Sequence, residues 1–401
     1  MHTAEAEILF PEVPLEIGGH LELSYEGLRN TDLDGADDDD LDALQAEFEL
    51  ELLYAPSERF EAYLRVQLTE QSTPQDEGDQ SSSGAQLILN EAYVTLTVPA
   101  SDMSLRLGRQ LFEDERQWLY DAELDAVRGR YADSRSLLEL SASEKALLAE
   151  EDLLNSDEEE SITNLILYGI RELTPSIGLG GFVVAGENRD AADTRTLLFG
   201  LTSRGKVVNG LEYWADAGLL RGEDQGANLR GYGFDLLASY RIDAPLRPRL
   251  LVGYAFGSGD PDPEGGADRG FRQTGLQDNE AKLGGLADFK YLGEVFDPEL
   301  ANLSVLTAGI GVHPRDDLSI DLAYHRYLQD DASEEISSSI LEAEATGESR
   351  RLGSEIDLVV GYEPLDHVSI RGFFGCFLPG SAFENGADEA LLARLEIEFG
   401  L

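Results

Sequence analysis

The chain has 401 residues, with 79 Asp and Glu against 30 Lys and Arg and a formal net charge of −49. That balance excludes a nucleic-acid partner, because a phosphate backbone is met by a basic surface, and the single cysteine, Cys376, excludes an intrachain disulfide. Only Lys145, Lys206, Lys282 and Lys290 are lysines; an acidic excess this poor in Lys fits concentrated salt, where self-repulsion is screened, or an acidic surface that favours solubility.

From the start, Met1-His2-Thr3-Ala4-Glu5 carries neither a basic n-region nor an apolar h-region, so the chain reads as a mature form with a start Met. Residues 1–14 are expected to form an N-terminal periplasmic extension. Residues 15–401 repeat short alternating segments without a domain boundary, which suits one large barrel better than two or three soluble domains. Tight turns are expected at Pro56-Ser57, Pro99-Ser101, Ala132-Ser134, Thr174-Pro175, Gly205, Ala244-Pro248, His313-Asp316 and Pro364-Asp366. Between them fall long loops at 27–42, 72–84, 112–122, 143–160, 187–194, 222–228, 260–301, 330–352 and 379–389. The two classes alternate without a break. Nine loops and eight turns make nine hairpins, hence eighteen strands, with both termini on the side of the short turns. Residues 281–294 could hold an extra short strand, but an odd total would break the alternation, so they are assigned to loop 260–301.

The strands show period two. In the segment Gly231 to Asp243, Tyr232, Phe234, Leu236, Ala238, Tyr240 and Ile242 oppose Asp235, Ser239 and Arg241. In the next, Leu250, Val252, Tyr254 and Phe256 oppose Arg249, Gly253 and Gly257. At the C-terminus Leu391, Ala393, Leu395, Ile397, Phe399 and Leu401 oppose Arg394, Glu396 and Glu398. Such strands have one apolar and one polar face. Charges on the polar faces, Tyr and Phe near strand ends, and lengths of about ten residues or more point to an all-β, transmembrane antiparallel barrel, lipid outside and water inside. The longest uncharged run, Leu173 to Gly186, is too short for a spanning helix. A barrel this wide keeps an open lumen unless a segment plugs it, and loop 260–301 is long enough to fold inward.

Residues 105–135 are the main charge anomaly: six arginines against seven acids. Arg106 and Arg109 share one strand, Arg128 and Arg130 the next, and Arg135 begins the one after. Arg128 and Arg130 share a face opposite Val127 and Tyr131. Arginine facing lipid at mid-depth costs ~2–4 kcal/mol, so both should point into the lumen. They can serve as an anion-guiding ladder or as girders paired with Glu113, Asp121, Glu123 and Asp125. The acidic run in Gly257 to Glu264 could hold Ca²⁺ but lacks EF-hand spacing and reads as an ordinary polar loop. Asp37 to Asp40 and Glu158 to Glu160 read as solvated loop charges. The five histidines, His2, His20, His313, His325 and His367, show no metal-ligand spacing, and no nucleophile elbow or phosphate loop occurs, so no enzyme, metal or cofactor is expected.

Several stretches resemble the alginate export family of bacterial outer-membrane porins: Leu105-Arg106-Leu107-Gly108-Arg109-Gln110 with Asp125-Ala126-Val127-Arg128, Phe271 to Asn279, Phe289 to Glu294 running into Asp297 to Leu303, and Tyr324-His325-Arg326-Tyr327. The resemblance runs from about residue 85 to the end. It implies an eighteen-stranded monomeric barrel in the outer membrane of a Gram-negative bacterium, passing an acidic polysaccharide through an arginine-rich constriction. Arg106, Arg109, Arg128 and Arg130 are the candidate lumen residues. The partners are then outer-membrane lipid and an anionic sugar polymer or smaller anions. The strong acidity departs from the family, since it should repel a polyanion unless salt screens it. A general diffusion porin of a salt-adapted bacterium is the alternative, and a plugged barrel used for adhesion or catalysis a third.

Overall fold

The computed structural model describes residues 14–35, 40–72, 83–144, 153, 162–188, 194–263, 265–338 and 340–401. Its frame is eighteen strands. These are β1 (Leu15–Arg29), β2 (Leu41–Ser57), β3 (Phe60–Ser72), β4 (Ser83–Thr97), β5 (Met103–Glu113), β6 (Asp121–Ala132), β7 (Ser136–Glu144), β8 (Ile162–Thr174) and β9 (Ile177–Asn188). They continue as β10 (Thr194–Val208), β11 (Leu211–Asp224), β12 (Tyr232–Arg241), β13 (Arg249–Gly257), β14 (Leu303–Arg315), β15 (Leu318–Gln329), β16 (Arg351–Leu365), β17 (Val368–Pro379) and β18 (Ala390–Gly400). Each pairs antiparallel with the next, and β18 pairs with β1 in the register Glu22↔Glu398. Closure leaves no free edge, as the hydrocarbon layer requires.

Burial runs opposite to that of a soluble sandwich. On β12, Tyr232, Leu236 and Tyr240 are exposed while Asp235 and Ser239 are buried; on β13, Leu250, Val252 and Tyr254 are exposed and Arg249 is buried. On β7, Leu138 and Leu140 face outward and Glu139 and Ser141 inward. The apolar outside is the lipid face and the packed interior is the lumen.

The expected turns slip by a few residues: Pro56-Ser57 and His313 to Arg315 are still strand, the chain reversing at 58–59 and at Asp316–Asp317, and Arg135 lies in a turn rather than opening a strand. The one misplaced turn is Gly205, which lies within β10; the reversal is at Asn209-Gly210, where Gly210 takes φ +86°. Gly205 is small for another reason. A Cβ there would stand 2.2 Å from the Ser176 carbonyl oxygen, so glycine permits a close strand approach rather than a bend. The expected N-terminal extension, the loop centres at 73–82 and 145–152, Asp37 to Asp39, Glu158 to Glu160 and Glu264 lie outside the described residues.

The segment between β13 and β14 folds inward. Residues 280–281 and 289–290 pair as a small hairpin inside this loop, not as a nineteenth wall strand. Phe271, Leu283, Phe289, Tyr291, Val295, Phe296 and Leu300 are buried, and the wall holds the segment by polar contacts. Glu355 of β16 accepts the Val295 and Phe296 amides at 2.7 and 3.0 Å, and Tyr327 of β15 donates to the Leu292 carbonyl at 2.8 Å. Arg394 of β18 meets Glu294 at 3.1 Å. Burial pushes the Glu294 carboxyl up to about 8, against the opposing pull of Arg394.

Candidate pore site

The strand register determines which arginines meet. Arg106↔Arg128 and Ser104↔Arg130 are direct partners across β5 and β6, and Arg130↔Glu139 and Arg128↔Ser141 across β6 and β7. The Arg106↔Arg128 pair therefore sets two arginines side by side, with Arg130 two positions along β6, and a carboxylate must reach the β6 arginines from the next strand. Glu139 does so: it meets Arg128 at 2.8 Å and Arg130 at 3.4 Å. Arg128 also lies 4.5 Å from the Phe112 ring centroid. Arg106 lies 3.9 Å over the Tyr93 ring and donates to Thr95 Oγ1 at 3.2 Å. A planar guanidinium on an aromatic face keeps its charge while shedding water.

Ser104, Arg106, Arg128, Arg130, Glu139 and Tyr168 line a cavity of about 240 Å³ together with Arg204 of β10 and the acids Glu113, Asp114 and Glu115. Three of the four expected residues thus share one cavity. Arg109 does not line it; it is buried opposite Asp125 in the β5–β6 register. The carboxylate that meets Arg128 and Arg130 is not among the expected ones. Glu139 takes Arg128 and Arg130, and Glu123 accepts from Arg65 of β3 at 2.8 Å. The exposure of the pair is unequal: the Arg130 side chain is about half exposed and that of Arg128 largely buried. Arg130 is therefore the guanidinium most open to a solute.

A short inward segment, residues 114–120 between β5 and β6, roofs this cavity. Asp114 accepts the Leu119 and Tyr120 amides at 2.7 and 3.1 Å, closing the segment on itself. Burial pushes its carboxyl up to about 6, against those two amide hydrogen bonds. Glu115 pairs with Arg204 and accepts from Trp214 Nε1 at 3.0 Å. Arg116, fully buried, reaches Asp216 of β11 at 2.6 Å and Asp235 of β12 at 2.7 Å, with the Tyr291 ring centroid 5.0 Å away. Trp118 packs on Phe182 and Phe271, ring centroids 5.8 and 6.4 Å apart. The two inward segments therefore touch each other as well as the wall. Arg116 and Arg204 lie outside the sequence-based candidate set. Arg116 was countable in the charge anomaly, but its partners lie 100 and 119 residues away.

The family profile described as alginate export matches residues 155–395. The chain belongs to the alginate export family. Among its relatives, the alginate production protein AlgE of Pseudomonas aeruginosa is 30% identical over 217 residues, 45% of this chain and 42% of that protein. AlgE of Azotobacter vinelandii is 30% identical over 179 residues, 38% and 37% of the two chains. The match to these two spans less than half their length. AlgE of Pseudomonas syringae is 24% identical over 80% of this chain and 78% of its own. In fold the chain is similar to the outer membrane protein OprD of Pseudomonas aeruginosa, TM-score 0.61 at 12% identity, covering 99% of this chain and 95% of OprD. It is also similar to OpdO of the same organism, TM-score 0.62 at 16% identity, covering 96% and 97%. Membership of the alginate export family places this barrel in the outer membrane of a Gram-negative bacterium, among channels rather than enzymes.

Proposed function

We propose that this protein is an outer-membrane channel that passes anionic solutes by passive diffusion, an alginate-like acidic polysaccharide or oligosaccharide foremost. Family membership supports the channel class. The observation that carries the choice of solute is the cavity lined by Arg106, Arg128, Arg130 and Arg204 in a chain of net charge −49. A uronate carboxylate is planar, as a guanidinium is, and two parallel N–H donors can grip it. Fixed positive charge in a narrow, low-dielectric passage raises the local anion concentration. Arg109, buried against the β6 wall, is proposed as a support for the neighbouring guanidiniums.

The second reading, a general diffusion porin, is favoured by the pairing itself. Glu139 and Glu115 already neutralise much of the cluster. The experiment that separates the two is Arg128→Glu with Arg130→Glu, followed by reversal potential under a salt gradient at low ionic strength. Oligouronate block of the single-channel current is measured in parallel. Anion guidance gives block in the wild type, its loss in the variant, and a shift toward cation selectivity. A wild type that oligouronates never block, with a variant that loses stability at unchanged selectivity, establishes the general porin.

A further inference from the structure

Elsewhere on the lumen wall, the β1–β2 hairpin places an imidazole between two carboxylates. The register pairs His20↔Glu49 and Glu22↔Glu47, so His20, Glu47 and Glu49 lie on adjacent inward positions of two strands. His20 Nδ1 stands 3.5 Å from Glu49 Oε1 and His20 Nε2 stands 3.7 Å from Glu47 Oε1. Both separations exceed a good N–H···O hydrogen bond, which runs to ~3.2 Å. Bonds of ~2.0–2.2 Å to a central ion set neighbouring ligands roughly 3.4 Å apart, which the Nδ1–Glu49 separation matches; Glu47 faces the other ring nitrogen and would have to swing toward Nδ1 to join the same ion. One ligand atom from each residue already lies within 4.8 Å of the others, so a side-chain shift of Glu47 brings one nitrogen and two oxygens around a common centre.

The charge around this group is unbalanced. Arg65, the nearest guanidinium, is 3.7 Å from Glu49 but is engaged by Glu123 at 2.8 Å and Glu91 at 3.5 Å. Arg371 serves Glu22, Glu396 and Glu398 at 2.8–3.1 Å. Asn90 Nδ2 donates to Glu49 Oε2 at 3.3 Å, which orients that carboxylate and leaves its other oxygen toward His20. Among the described residues Glu47 meets only the Gln45 amide at 3.5 Å and His20. The Glu49 side chain is almost fully buried while His20 keeps a quarter of its surface open to the lumen, so an ion has a path in and water a place to complete the shell.

We infer that His20, Glu47 and Glu49 form a binding site for a Zn²⁺-class divalent ion on the lumen wall. One imidazole and two carboxylates with an open fourth position suit Zn²⁺; Ca²⁺ and Mg²⁺ prefer all-oxygen shells of higher coordination number. Bound there, the ion cancels the charge of the two carboxylates and leaves a coordination position facing the pore. The site does not depend on the anion-channel reading.

The test uses the untagged, chelator-stripped barrel in detergent, titrated with ZnCl₂ by calorimetry, with Co²⁺ absorption as a second probe of the ligand set. The expected result is one site per barrel, absent with CaCl₂ and MgCl₂. His20→Ala and Glu49→Gln should each weaken it by more than the roughly 10–100-fold typical of changes to supporting residues around a metal. Heat-modifiable gel migration reports whether each variant folds. Should a variant not fold, the wild-type Co²⁺ spectrum decides: a tetrahedral band with nitrogen and oxygen ligands supports the site, and an octahedral aqua-like spectrum overturns it. Zn²⁺ binding that is unchanged in a folded His20→Ala, or absent from the wild type, also overturns it.

Discussion

Two walls of the same lumen carry opposite solutions to the same excess of acid. On β5–β7 and β10 the lining of one cavity holds Arg106, Arg128, Arg130 and Arg204 beside Glu113, Asp114, Glu115 and Glu139. On β17, β18, β1 and β2 two arginines serve a larger set of acids: Arg371 is shared by Glu22, Glu396 and Glu398, and Arg394 by Glu26, Glu294 and Glu396, with His20, Glu47 and Glu49 alongside. The first wall is locally balanced and the second is not. Net charge therefore says little about the field a solute meets, because screening confines each wall's influence to about a Debye length, ~8–10 Å near physiological salt. The balanced wall reaches its balance with help: Asp114 and Glu115 come from the inward segment 114–120, which is anchored elsewhere. The unbalanced wall also receives a visitor, Glu294 of the inward segment between β13 and β14, but this carboxylate takes up Arg394 and adds to the acid.

The anchor is the place to break the comparison. Arg116→Met should have the largest effect, because it leaves Asp216 and Asp235 buried without their shared cation. Removing one member of a buried ion pair costs about 3–5 kcal/mol, and the segment that roofs the arginine cavity should detach. Urea unfolding of the folded barrel and its single-channel conductance read the two consequences. A variant as stable as the wild type, with unchanged conductance, would show that the segment's other contacts, Trp118 and Glu115 among them, hold it without Arg116. Next comes Glu139→Gln, which frees Arg128 and Arg130 together. Anion selectivity should rise several-fold at low ionic strength, opposite in sign to the Arg128→Glu, Arg130→Glu variant. No change would mean that the pair's charge does not reach the permeation path.

These two residues also show where sequence reading ends. The strands were legible because period two survives in each of them, as in Leu250, Val252, Tyr254 and Phe256 on β13, and because turn and loop lengths alternate. The grouping of Arg106, Arg128 and Arg130 was legible too, since a one-strand offset and a shared face follow from spacing. Their partner was not. Glu139 is on β7, where only the register with β6 brings it opposite Arg130, while nearer acids such as Glu123 turn to a different strand. His20 looked isolated because Glu47 and Glu49 become its neighbours only through a hairpin. Gly205 misled because glycine serves turns and close approaches alike, and the sequence does not say which. What was lost is contact at long range: the inward course of 114–120 and 258–302 is decided by burial of Trp118, Phe271 and Phe296, apolar residues that look like any loop hydrophobe until the lumen is built.

A smaller effect sharpens the balanced wall. Asp114 lines the arginine cavity and its carboxyl is raised to about 6 by burial. Lowering the pH from 7.5 to 5 should protonate it and add one net positive charge to the lining. Anion selectivity should climb with a midpoint near 6, and Asp114→Asn should hold the high value at all pH. The sign for stability is the same. A folded-state pKa above the unfolded value of ~3.9 means that the native state binds the proton more tightly, so this group's contribution is full below the unfolded value and is lost as pH rises through 6. A midpoint near 4 in the wild type would place Asp114 in ordinary solvent.

The smallest effect tests the unbalanced wall and the acidity of the chain as a whole, which we propose to be a salt adaptation. Carboxylates that outnumber their cations repel one another over distances that salt controls, and near 1 M the Debye length falls to ~3 Å, shorter than the spacing between neighbouring strands of ~4.8 Å. The melting temperature should therefore rise from low to molar NaCl, and go on rising past the concentration at which ordinary surface pairs are fully screened. Each kcal/mol of relieved repulsion moves the midpoint by about 2 °C or less in a chain of this size, so the slope is shallow and wants calorimetry. The comparison of walls predicts where the slope comes from. Glu47→Gln with Glu398→Gln removes two members of the crowded side and should flatten it, whereas Glu139→Gln removes a paired carboxylate and should leave it intact or steepen it. A midpoint flat from low to molar salt would sink the adaptation. A wild-type slope that survives Glu47→Gln with Glu398→Gln would instead move the repulsion off the lumen wall and onto the acidic surface outside it.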